Sequence, residues 1–337
     1  MDLPLIMATR TILRRDDYDD EPTDCVTATP GPNGHVPLDA CNSYYNYDPQ
    51  FAPAVAVAVI FGILLGIHFF EATVFKKKYA WVVIMGALWE TAAFAIHAVG
   101  TRDQQQIGLA TAWSILFLLA PLWINAFVYM TFARMVNFWS RDAKVAGISA
   151  RRISLFFVLA DVLSFIVQAA GGIMASPGAA PETVKTGLNI YTGGTALQQL
   201  FIFIFLGLMI MFHRACSPLR NGVSVHGGGR DWKPLLLALY GVLVCITIRI
   251  IFRIIEFSRG FTPDNPVPFH EEYIYALDCF PMMVALLVLA IWHPGRFLSG
   301  SDGEFPKRTR AQKRAEKLEM ETKMKLLRGT ESPGEYV

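Results

Sequence analysis

The sequence predicts an all-α polytopic membrane protein, a seven-transmembrane helix bundle with its N-terminus outside and its C-terminus cytoplasmic. Three observations carry that expectation. Hydrophobic residues make up 53% of the 337 and charged residues 17%, whereas about a quarter of an ordinary soluble domain is charged. Seven stretches approach the roughly 20 apolar residues that cross a hydrocarbon core: 53–75, 79–99, 108–138, 153–176, 193–212, 233–257 and 272–293. Lys and Arg gather in alternate loops, at Lys76–Lys78, at Arg141, Lys144, Arg151 and Arg152, at Arg214, Arg220, Arg230 and Lys233, and in the C-terminal tail. The opposite loops hold only Arg10, Arg14, Arg15, Arg102, Lys185 and Arg259. Basic loops stay cytoplasmic, so the alternation sets the orientation and requires all seven spans.

In chain order, residues 1–52 read as an extracellular tail rich in Asp and Pro, without a signal peptide, and the first span serves as the uncleaved insertion signal. Cys25 and Cys41 lie in this tail, where a disulfide could form. Gly62 and Gly66 give the first span a small-xxx-small face suited to close helix contact. The second span carries Glu90 and His97. The third is long, so it tilts, kinks at Pro121 or runs past the hydrocarbon. It carries Asn125 and Arg134, the fourth span Asp161 and Gln168, and the fifth Gln198 and Gln199. Residues 53–298 thus form the membrane domain. Residues 299–337 form a basic cytoplasmic tail whose segment 307–328 reads either as a helix attracted to anionic inner-leaflet lipid or as a solvated tail. Cys216 is a juxtamembrane palmitoylation candidate.

The sixth span places Arg249, Arg253 and Glu256 four and three residues apart, hence on one helical face. At about 1.5 Å per residue, Arg249 lies ~12 Å from the outer end of its span, Glu90 ~13 Å, Gln168 ~12 Å, Asp278 ~9 Å and Gln198 and Gln199 ~8 Å. Charged and amide side chains in hydrocarbon seek one another. One polar cavity or ion-pair network in the outer half is therefore expected, with both arginines paired to carboxylates on spans two, six and seven. Asp161, Asn125 and Arg134 would continue it inward, as a path or as contacts between helices. The same network would also serve simply to lock the helices together.

His68, His97, His213 and His293 each stand alone near a span end, without a second ligand three or four residues away, and read as hydrogen-bonded residues in preference to metal ligands. No P-loop with its Lys occurs, nor a nucleophile paired with a base in the spans, so ATP-driven pumping and enzyme chemistry are not expected. No cofactor is expected. A net charge of +2 gives no sign of a nucleic-acid partner.

Arg249, Arg253, Glu256 and Gly260, then Glu271, Tyr275, Asp278, Pro281 and Met282, then His293-Pro294-Gly295, form the spaced pattern R-x3-R-x2-E-x3-G, E-x3-Y-x2-D, HPG. This closely resembles the fungal RTA-like, or lipid-translocating exporter, family of seven-span proteins. Ala120-Pro121, Tyr129-Met130 and Arg134 in span three fit the resemblance. So do Asp161, Ser164, Gln168, Gly171 and Gly172 in span four, together with Gln198, Glu90, His68 and Tyr47-Asp48-Pro49. It covers residues 44–298. Span two departs from it, with Ala93, Phe94 and His97 where the family has Gly, Tyr and Arg, and so does the proline-rich loop 261–269. The resemblance implies export or translocation of sphingoid long-chain bases and other amphipathic lipids, resistance to toxic amphiphiles and, in some members, porphyrin transport, at the plasma membrane. The substrate-binding or polar-network residues it singles out are Glu90, Asp161, Gln168, Gln198, Arg249, Arg253, Glu256, Glu271, Tyr275 and Asp278. The alternative is a seven-transmembrane receptor, or a regulator of lipid asymmetry, that binds an amphiphile without moving it.

Overall fold

The computed structural model describes residues 26–38, 40, 42–140, 142–175, 180–217, 231–262 and 265–298, with Phe305, Arg314, Leu318 and Thr322. Cys25 and Cys41, and most of the basic segment 307–328, lie outside the described residues. The chain divides into two units, Met1–Gly303 and Glu304–Val337.

Among the described residues of the first unit, seven helices are long and apolar enough to cross a membrane, as the composition predicts. They are α1 Phe51–Phe75, α2 Trp81–Gly100, α3 Ile107–Trp139, α4 Ala150–Met174, α5 Pro181–Cys216, α6 Lys233–Ser258 and α7, the span Glu271–Phe297. Successive helices pack side by side, α7 closes on α1, and α3 also touches α5 and α6, which places it nearest the middle of the bundle. The outward faces are greasy: Ile173 is 74% exposed, Phe70 67% and Phe280 61%. Buried polar side chains sit inside. A soluble fold shows the reverse, and this arrangement suits hydrocarbon as solvent, where every helical backbone group is satisfied internally.

Turn chemistry explains the connections. Lys76 takes a left-handed backbone that ends α1. The antiparallel pair β1 Lys144–Val145 and β2 Ile148–Ser149 joins α3 to α4. Its two turn residues, Ala146 and Gly147, both have positive φ, as the tight hairpin turn that matches strand twist requires. Pro181 and Glu182 start α5 well before its apolar stretch. That early start lets α5 cross α4 closely: a Cβ on Gly187 would lie 2.6 Å from the Gly171 carbonyl oxygen. Gly62 and Gly66, by contrast, make no tight crossing; Gly66 has nothing within 4 Å of an added Cβ. The small-residue seam is on α4 and α5, not on α1.

The long third span stays one helix through Pro121. At 33 residues it is ~50 Å long, more than the hydrocarbon thickness, and it does not break. The described residues among 26–50 fold over the end of the bundle where α1 begins. Asn42 donates to the Ala28 carbonyl and accepts from the Ala28 N–H, while the Val36 N–H donates to Gln104.

In the second unit, Arg314, Leu318 and Thr322 are helical and exposed, and the Thr322 hydroxyl donates to the Leu318 carbonyl.

Candidate functional site

Two prolines prepare the centre of the bundle. A proline inside a helix has no N–H for the carbonyl four residues earlier. Pro121 therefore frees the carbonyl of Phe117, and Arg249 Nη2 donates to it at 3.2 Å. Pro281 does the same to Leu277 on α7, and the helix there loosens into a π turn over Tyr275–Cys279, with the Phe280 N–H reaching back to the Tyr275 carbonyl. Asp278 sits on that turn, wholly buried. π turns of this kind recur at functional sites.

Around Asp278 the expected ion pairs between α6 and α7 form. Arg249 Nε donates to Asp278 Oδ1 at 2.5 Å, and Arg253 Nε to Oδ2 at 2.6 Å. Arg253 Nη1 donates to Glu256 Oε2 at 2.9 Å. The Arg253 guanidinium also lies over the Phe117 ring, 4.9 Å from its centroid. Two guanidiniums and two carboxylates cancel, and only the Arg253 side chain, at 12% exposure, rises above the rest.

Glu90 does not join this pairing, contrary to expectation. It is wholly buried on α2, within electrostatic reach of Arg249, Asp278 and Arg253. Neither of its oxygens has a hydrogen-bond partner. The arginines are already engaged, Arg249 by Asp278 and the Phe117 carbonyl, Arg253 by Asp278 and Glu256. So the charged network spans α6 and α7, with an unpartnered carboxyl beside it.

The expected single layer also divides. Gln168 Nε2 donates to Gln198 Oε1 at 3.1 Å across the glycine-lined α4–α5 crossing, and Gln199 reaches Thr247 on α6. Asp161 Oδ2 accepts from Asn125 Nδ2 at 2.9 Å and from the Tyr129 hydroxyl at 3.0 Å, while its Oδ1 has no partner. Arg134 does not extend that group; it donates back to the Met130 carbonyl and stacks over Tyr79.

A further cluster lies at the bundle end beneath residues 26–50. Glu271 Oε1 accepts from His97 Nε2 at 3.0 Å and from the Tyr275 hydroxyl at 2.8 Å, and its Oε2 accepts from the Gln50 N–H at 2.9 Å. His97 stacks on Trp113, with Tyr45 packed against both. Burial, then the charge of Glu271, pushes the Tyr45 hydroxyl up to about 12 and raises that of Tyr47 well above its ordinary value, so both stay neutral. Phe94 separates this cluster from the arginines, packing on Phe61, His97, Phe117 and Tyr275. Reading the sequence locally missed the partner of His97, because Glu271 is 174 residues away. It also missed Glu71 at the opposite end, which accepts from Arg296 at 3.0 Å; an acidic residue in so apolar a span was the available signal. His293 there accepts from the Gly295 N–H. Gly295 lies against Phe75, where a Cβ would come within 2.5 Å. The His-Pro-Gly string is thus a packed turn.

Among the described residues, no group of three or more His, Cys, Asp or Glu is disposed to hold a metal ion.

A family model described as "RTA1 like protein" matches residues 83–301. The chain belongs to this RTA1-like family. It is 39% identical over 295 residues to the "Probable lipid transporter atnI" of Emericella nidulans, covering 86% of this chain and 77% of that protein. Similarity extends to the "Protoporphyrin uptake protein 1" of Saccharomyces cerevisiae, 30% identical over 61% of this chain and 65% of the relative. The "Sphingoid long-chain base transporter RSB1" of the same species is 22% identical over 77% and 75% of the two chains. These relatives of the RTA1-like chain carry transporter or uptake names. No solved structure matches the chain significantly. His97 stands where the family resemblance leads one to expect Arg, and here its Nε2 is hydrogen-bonded to Glu271.

Proposed function

We propose that this membrane protein translocates amphipathic lipids bearing a cationic amine, of which sphingoid long-chain bases are the type, and thereby confers resistance to toxic amphiphiles. The carrying observation is the cluster of Arg249, Arg253, Glu256 and Asp278 buried within membrane-length helices, with Glu90 unpartnered beside it. Ionisable groups inside a membrane are costly and mark a functional site by default. A long-chain base has one ammonium on an apolar tail, so a buried carboxyl can hold the head while the tail stays among the greasy outer faces. The names of the relatives support the same substrate class. A cation that takes Glu90 sits beside Arg249 and Arg253, which Glu256 and Asp278 hold in place, and so biases the bundle toward another state. Gln168 with Gln198, Asp161, and Glu271 with Tyr275 form polar groups of their own, which this proposal keeps as further contacts for the substrate.

The chain acts as a carrier and not as an enzyme, with residues 1–52 outside, 53–298 spanning the plasma membrane and the basic residues 299–337 in the cytoplasm, drawn to anionic lipid. The closed, charge-balanced packing around Asp278 favours a second reading, a receptor or regulator that binds an amphiphile without moving it. Vesicles containing only this protein separate the two. Labelled sphingoid base is expected to cross with the wild type, and at least tenfold more slowly with correctly inserted Glu256→Gln or Arg253→Ala. A folded wild type that binds the base and moves none would establish the second reading.

A further inference from the structure

We infer that Glu90 exchanges a proton for the ammonium of the substrate, so that translocation is a one-for-one, electroneutral antiport with H+. This rests on the function proposed above and adds its energy source. The inference starts from an imbalance. Glu90 is wholly buried, and both of its oxygens lack a hydrogen-bond partner. The charged and titratable groups facing it are Arg249 and Arg253 on α6 and Asp278 and Cys279 on α7. From the flanking helices α1 and α3, Phe61, Phe117 and Ile124 turn toward α2. Because the two arginines already balance Asp278 and Glu256, an ionised Glu90 would leave one uncompensated charge with no hydrogen bond in a low-dielectric interior, a costly state. Two occupancies relieve it: a proton on the carboxyl, or a cation against it. They exclude each other, since each supplies the same single positive charge.

A metal ion does not fit the second role, because hard cations need several oxygen ligands and the oxygens of Asp278 are taken by the arginines. An alkylammonium needs only one carboxylate. On the side where the substrate enters, the Glu90 O–H bond breaks, its proton passes to water, and the carboxylate pairs with the ammonium. On the other side a proton from water re-forms the O–H bond as the ammonium leaves. Each half of the cycle carries a site of unchanged net charge, so the membrane potential does no work on it.

The test uses full-length protein in vesicles with an internal pH dye and a labelled long-chain trimethylammonium. That cation has no proton to lose, so it cannot follow a pH gradient by crossing as a free base. With the wild type, a gradient of one pH unit is expected to concentrate it about tenfold on the acidic side, with a matching proton efflux, and a potassium diffusion potential is expected to leave the ratio unchanged. Glu90→Gln is expected to abolish the coupling. If that variant misfolds, Glu90→Asp serves, with coupling retained at a lower rate. Movement of the cation that tracks the potential without proton flux, or coupling that survives in Glu90→Gln, overturns the antiport and leaves translocation standing. A folded wild type that moves neither this cation nor the sphingoid base overturns both.

Discussion

Asp278 shows how one side chain holds a buried charge network together. It accepts from both arginines while wholly buried, so Asp278→Asn leaves two guanidiniums sharing a neutral acceptor. Breaking such a pair costs about 3–5 kcal/mol, because burial removes the water that would otherwise compensate. The expected result is a fall in the unfolding midpoint in detergent on the order of 10 °C; a fall of only a degree or two would mean that water reaches the arginines. That these residues belong together was legible from sequence, since Arg249, Arg253 and Glu256 share a helical face and Asp278 lies at a similar depth. That Glu90 would be left over was not. Depth along a helix follows from counting residues, but which of three neighbouring carboxylates meets a guanidinium depends on helix rotation and on the rotamers that packing permits.

At the scale of the element, the two prolines matter more than their helix-breaking reputation suggests. Pro121 leaves α3 continuous and hands the Phe117 carbonyl to Arg249. Pro121→Ala would return an N–H to that carbonyl, in competition with the guanidinium, while removing a local cost of about 3 kcal/mol. Thermal stability is therefore expected to hold or rise, and transport to fall several-fold. Unchanged transport would make the Arg249–Phe117 contact incidental. Pro121 was visible in the sequence as a place to kink, and α3 stays one helix through it. The π turn at Asp278 was less legible still, because a helix that loses one hydrogen bond can kink, bulge or continue, and its neighbours decide which. The early start of α5 shows the same limit. Hydropathy marks where a helix is greasy, whereas Pro181 and the close Gly171–Gly187 crossing mark where it begins and what it packs against.

For the whole molecule, the proposed orientation follows from basic loops, and epitope tags test it. A tag at the N-terminus is expected to be reached on intact cells, and one at the C-terminus only after permeabilisation; the opposite pattern would reverse the direction assigned to the site. The sequence alone determined that the chain is a seven-helix membrane bundle of the RTA1-like kind, and which polar side chains its interior must accommodate. Those conclusions rest on apolar length, helical period and residue spacing, which are properties of the chain read locally. Only the tertiary structure decided the partnerships: Glu271 with His97 and not with a cation nearby in sequence, Gln168 with Gln198 apart from the charges, and Glu90 with no partner. The physical reason is that a buried polar group takes the partner that the packed helices bring to it. Packing is settled by all seven helices at once, so no single segment encodes it.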